Sequence, residues 1–157
     1  MTNQSDGLPG LSRFRDAQDN PPPGLGGYRS ALGELRVGCK TGHWMWYIFP
    51  QVRGLGFSER AVRYSIGSLQ EAGALLSDPI LGSRLVECTG TTLAHAGKIS
   101  ALQIFGPVDA AKFHASMTLF ARVVGVDSPY RRALEGFFDG IDHAETVAIL
   151  DKWAAQV

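Results

Sequence analysis

The stretch GHWMWYIFPQ, residues 42–51, sets polar side chains around a short apolar block. His43 stands before it and Gln51 closes it, with Lys40 and Arg53 just outside. An imidazole titrates near neutral pH, which makes His43 the candidate general acid–base. Trp44 and Trp46 offer flat faces that stack on planar or cationic groups. A few polar groups beside an apolar wall is the composition of a ligand site. The competing reading is a buried plug. Six large side chains run from Trp44 to Phe49. Each gives roughly 1.5–3 kcal/mol on burial, a gross term on the order of 10 kcal/mol that explains the block without a ligand.

A second set lies in DAAKFHASMTLF, residues 109–120. On a helix, Lys112 and Ser116 share a face, and His114 and Thr118 share another. Lys112 with Ser116 can hold an anion or form a Ser–Lys pair for acyl transfer. The alternative is a surface lysine beside a serine bonded to its own backbone. The four histidines are scattered without zinc-site spacing, so no metal and no cofactor is expected. Cys39 and His43, four apart, also admit a Cys–His reading, although a free cysteine is more often inert. GLG at residues 54–56 follows no strand and reads as a turn into the next helix, whose N-terminus beside Arg53 and Arg60 can cradle a phosphate.

The elements that would position these groups are helical. LSRFRDAQ reads as a first helix, broken by the Pro/Gly loop at residues 19–27. Tyr28, Leu32 and Leu35 recur at helical spacing over residues 28–37, and Gly38 stops that helix. Ser58 is an N-cap. Ser68 with Glu71 fits a capping box. Asp78-Pro79 opens a helix with Leu81, Leu85 and Cys88 on one face. SALQIFG and VDAAKF read as short helices separated by Gly106-Pro107, and residues 116–124 as a further buried helix. Residues 129–138 form another, and Asp142 with Glu145 reads as a capping box opening the last. No period-two alternation is sustained, so the fold class is all-α: a compact multihelical domain over residues 11–155, after a frayed 1–10.

Composition bounds the function. The 157 residues are 45% hydrophobic and 19% charged, with net charge +0, which argues against disorder and against nucleic acid as a partner. Two cysteines without a C-x-x-C pair, no signal-peptide pattern and no long apolar run point to the cytoplasm and away from membranes. Charge is uneven along the chain. Arg29, Arg36, Lys40, Arg53, Arg60 and Arg63 face only Glu34 and Glu59 in residues 29–63. That local field suits a small anion, or is simply a solvated face.

LSRFRDAQ, Y..AL.EL..G.K..HWMW.IFPQ..GLG.S, A..LL.DP.LG.RL.ECT and IFG..D..K...SMTLF resemble, in that order, the bacterial family called domain of unknown function 1810. The resemblance runs over residues 11–150 and is carried above all by the tryptophan motif. It implies a helical single domain and no established activity. Members are sometimes labelled calpastatin, a disordered repeat inhibitor that this compact, repeat-free chain does not match. The sequence departs from the family pattern in a longer proline loop, in Cys39 where Arg is usual, and in Ala115 where a second Ser is expected.

These readings converge on a small-molecule site. His43 would act as acid–base. Lys40, Trp44, Trp46, Gln51, Arg53, Lys112 and Ser116 would bind a small, anionic, nucleotide-like ligand that is held or hydrolysed. The alternative is an interaction or oligomerisation module around a structural tryptophan core. The sequence does not specify the oligomeric state.

Overall fold

A computed structural model describes residues 10–156. The expected frayed terminus, apart from Gly10, lies outside the described residues. Among these, nine helices follow in order: α1 (Ser12–Asp19), α2 (Tyr28–Val37), α3 (Met45–Ile48), α4 (Glu59–Arg63), α5 (Leu69–Ser77), α6 (Leu81–Leu93), α7 (Ala101–Val124), α8 (Pro129–Phe138) and α9 (Ala144–Ala155). Among the described residues the only β-type pairing is an isolated parallel bridge between Val52 and Ile66. No described helix is long and apolar enough to cross a membrane.

Several boundaries follow from side-chain chemistry. Gly38 ends α2 at φ 86°, a left-handed turn that glycine adopts without strain. Ser58, Ser68 and Ser128 each accept a backbone amide at the start of α4, α5 and α8. Two expectations change. Glu71 turns to the Gly67 amide at 2.8 Å, so the box at α5 is displaced by one residue. Asp142 does not cap α9, because it pairs with Arg131 at 2.8 Å. His143 caps α9 instead.

α7 is the centre of the fold. A helix apolar on all sides must be surrounded, and residues 115–121 are all buried. α8, α9, α5 and α3 pack around it. The expected break at Gly106-Pro107 is present, with Gly106 at φ 81°. Beyond it the two helices expected separately run as one to Val124, since nothing between Phe113 and Ser116 interrupts the backbone ladder. Phe49 of the aromatic block drives edge-on into Phe113 of α7, centroids 4.9 Å apart.

The Pro/Gly loop is tied down. The Gly26 amide donates to the His43 carbonyl at 3.2 Å, and its carbonyl accepts from the Tyr47 hydroxyl at 2.6 Å. At Gly27 an added Cβ would lie 2.7 Å from the Gln18 carbonyl, so that approach requires glycine. The loop thus clamps one flank of the aromatic block.

Candidate functional site

The two indoles go opposite ways. Trp44 precedes α3 as its N-cap, with a non-helical φ of −149°, whereas Trp46 lies within the helix. Trp44 points inward and is fully buried, while Trp46 is half-buried at the surface. The Trp44 indole N–H donates to Glu34 Oε1 at 2.9 Å. The same oxygen accepts the Thr41 and Gly42 amides, each at 2.8 Å. Burial alone would raise the Glu34 pKa. The hydrogen bonds from Gly42, Thr41 and Trp44 outweigh it and hold the carboxyl below its ordinary 4.5.

Lys40 belongs to this buried knot. Its ammonium donates to the Gly42 carbonyl at 2.6 Å, pairs with Asp109 at 2.7 Å and lies 5.0 Å over the Trp44 ring. Asp109 is shared, with its other oxygen 3.7 Å from Lys112 one helical turn along α7. Lys112 in turn lies 5.1 Å over the Trp46 ring, and Arg60 of α4 lies 5.4 Å over the same ring. One carboxylate therefore links a lysine at each tryptophan, Lys40 at Trp44 and Lys112 at Trp46.

Beside Lys112 opens a cleft of about 200 Å³ whose wall includes Gln51, Gly56, Ala61, His143 and Glu145. A groove of about 320 Å³ at Trp46, Ser58, Glu59 and Arg60 adjoins it across α4. The bridge between Val52 and Ile66 holds Gln51 in place, with the Gln51 carbonyl accepting the Ile66 amide at 2.8 Å. Burial, then the neighbouring His114, pushes the His143 pKa below its ordinary 6.5, while Glu145 opposes the shift. The cleft thus holds an ammonium, an amide and an imidazole that favours its neutral form.

Of the residues singled out in the sequence, the structure brings Gln51 and Lys112 into the cleft, with the Trp46 ring under Lys112 just outside it. Trp44 and Lys40 lie in the knot beneath them. His43 is exposed and does not line the cleft; its carbonyl holds the Pro/Gly loop. Arg53 packs on Gly67 and donates to Ser65 Oγ at 3.2 Å. Ser116 is fully buried in α7, and its hydroxyl has no hydrogen-bond partner among the described residues, so it is sealed from solvent. Sequence reasoning did not single out His143, Glu145 or Asp109 for the site. The DHAE pattern marks only a helix start, and tertiary packing sets the beginning of α9 across the cleft from Ala61. A separate groove of about 610 Å³ runs along Tyr28, Arg29 and Arg36. Its central cation, Arg84, is held by Asp19 at 2.8 Å and Gln18 at 3.0 Å. Among the described residues no group of three or more His, Cys, Asp or Glu side chains is placed to hold a metal.

Comparison with known proteins adds kinship without chemistry. The family model described as protein of unknown function (DUF1810) matches residues 9–150. The crystal structure of the conserved hypothetical protein Rv1873 from Mycobacterium tuberculosis is similar, with a TM-score of 0.82 and 46% sequence identity. That likeness covers 90% of this chain and 96% of the other. No curated protein matches the sequence.

Proposed function

The chain belongs to the DUF1810 family, and from that premise we propose that the cleft beside Trp46 binds a small anionic, nucleotide-like ligand in the bacterial cytoplasm. One observation carries the reading. Lys112 stands both in the cleft wall and over the Trp46 ring, so positive charge and aromatic surface occur at one place. A volume of about 200 Å³ is below the ~300–1,000 Å³ of a drug-sized pocket. The cleft therefore suits the anionic head of the ligand, with Gln51 and His143 as hydrogen-bond partners. Its planar part would lie in the adjoining groove with Trp46 and Arg60. The reading is one of binding. Hydrolysis would need an acid–base at the bound ligand, and the imidazole there is His143 rather than His43.

Thermal-shift titration with nucleoside monophosphates, nucleosides and inorganic phosphate tests it. Ligand at about one hundred times Kd stabilises by about 2.7 kcal/mol. For a chain of this size that raises Tm by roughly 5–10 °C. Lys112→Ala and Gln51→Ala should abolish the shift and keep their ligand-free melting near that of the parent. A full shift in Lys112→Ala sinks the proposal. The second reading, an interaction module, draws on Phe57, which is 86% exposed beside the cleft residue Gly56. A concentration-dependent mass in light scattering that Phe57→Ser removes would favour it.

A further inference from the structure

His143 occupies a position at which imidazole is unusual. Helix N-caps are commonly Ser, Thr, Asp or Asn, whose oxygens accept a first-turn amide at any ordinary pH. Here the acceptor is a ring nitrogen. Nδ1 of His143 faces the Thr146 amide at 3.3 Å and the Thr146 hydroxyl at 2.9 Å. A ring nitrogen accepts only when it carries no proton. The cap therefore requires the neutral ring with its hydrogen on Nε2.

The surroundings of the ring are specific. α7 presents His114, edge-on with centroids 5.2 Å apart, and Lys112, which lines the same cleft. His114 is itself fixed, stacked on Phe138 at 4.0 Å with its Nε2 at 2.7 Å from the Ile141 carbonyl. α8 contributes Arg131, whose charge is met by Asp142 at 2.8 Å. α9 contributes Glu145, 3.7 Å from Nε2 but 80% exposed. The His143 backbone is held separately, its amide donating to Thr118 Oγ1 at 2.9 Å.

We propose that His143 is a proton-operated cap, and that protonating it releases the first turn of α9 and with it the cleft wall formed by His143 and Glu145. Three effects act in one direction. The acceptor for the Thr146 amide is lost. A positive charge is placed at a helix N-terminus, where the backbone already carries about half a positive charge. That charge also faces His114, 5.2 Å away. Two contacts oppose them: Glu145, from solvent, where its field is screened, and the Thr146 hydroxyl, which can turn to accept the new Nδ1–H but leaves the Thr146 amide without its acceptor. The depressed pKa of His143 agrees in sign. A group held below its ordinary value stabilises the fold fully above that value, near 6.5. The contribution is lost as pH falls from there through the folded pKa. The proposal concerns the ligand-free protein and stands whether or not the cleft takes an anion.

The test compares the parent chain with His143→Asn, which keeps one of the best capping side chains and removes the titration. Melting is followed between about pH 7.5 and pH 5.5, a window centred on histidine. Because His143 is coupled to His114, the same comparison is repeated in a His114→Asn background, where that coupling is absent. The Glu34 carboxyl, held below 4.5, titrates outside the window. The parent should lose about 2–4 °C more than the variant over this range. Equal losses overturn the proposal. Nitrogen NMR of the parent gives a second reading that needs no variant. The Nε2–H tautomer with a midpoint below that of free histidine is expected, and the Nδ1–H tautomer or an unshifted midpoint overturns it.

Discussion

Replacing Glu34 by Ala removes one oxygen that holds three donors. The consequences differ by donor. Thr41 is exposed and Gly42 half-buried, so water can replace the carboxylate at their amides, at a cost of about 0.5–1 kcal/mol each. The Trp44 indole has no such recourse, because the side chain is fully buried. An unsatisfied buried donor costs about 1–3 kcal/mol. The expected loss is therefore about 2–5 kcal/mol, with the indole the largest single part. For a domain of this size that lowers Tm by roughly 4–20 °C. Urea denaturation of the parent, Glu34→Ala, Trp44→Phe and the double variant closes a thermodynamic cycle. Phenylalanine has no N–H, so in its background Glu34→Ala should cost about 1–3 kcal/mol less. Glu34→Gln, which keeps an acceptor oxygen but no charge, should fall between parent and Ala. The carboxyl's contribution is present above its unfolded value near 4.5 and is lost as pH falls through the lower folded value, so the acid limb of stability should flatten in Glu34→Gln. A Glu34→Ala cost under about 0.5 kcal/mol, or a cycle with no coupling, would refute the claim that this carboxylate anchors the buried tryptophan.

Two other expectations are independent of that knot. Cys39 is exposed, whereas Cys88 is buried with its thiol pushed up to about 12 by burial. A thiol reagent should label one cysteine per native chain and the second only on unfolding; prompt labelling of both would contradict the burial of α6. Gly106→Ala should lower stability by about 1–3 kcal/mol, read as a Tm drop of roughly 2–12 °C, because φ 81° with ψ 167° is a conformation kept almost entirely to glycine. The added Cβ meets no atom within 4 Å, so the cost is that of the positive φ alone. A rise in Tm would mean that α7 prefers to straighten.

What the sequence made legible was local. α1, α2 and α8 fall where apolar spacing and stop signals place them, because a helix face and its caps are set within a few residues. The same logic erred where a local signal met a distant partner. Asp142 has the right spacing for a capping box, but Arg131 takes it. Glu34 reads as an ordinary exposed helix residue, and only the return of residues 41–44 gives its carboxylate three donors. In the aromatic block the spacing of Trp44 and Trp46 was visible, but not which of the two faces inward. That is decided by tertiary contacts, with Gly26 of the Pro/Gly loop against Trp44 and Glu34 of α2 accepting its indole N–H. Gln51 and Lys112 could be named from residue type. Their meeting with His143 could not, since it depends on how α9 docks.

The carboxylate knot also has a consequence for how the chain is assembled. Glu34 and Trp44 are ten positions apart. Lys40 and Asp109, which complete the knot, enclose about seven times as much chain. Closure entropy grows with the logarithm of loop length, so the second contact costs about 1.7 kcal/mol more chain entropy than the first. The short clasp can thus form while α7 is still undocked. It would present Lys40 and the Trp44 ring as a ready socket into which Asp109 fits when the central helix arrives.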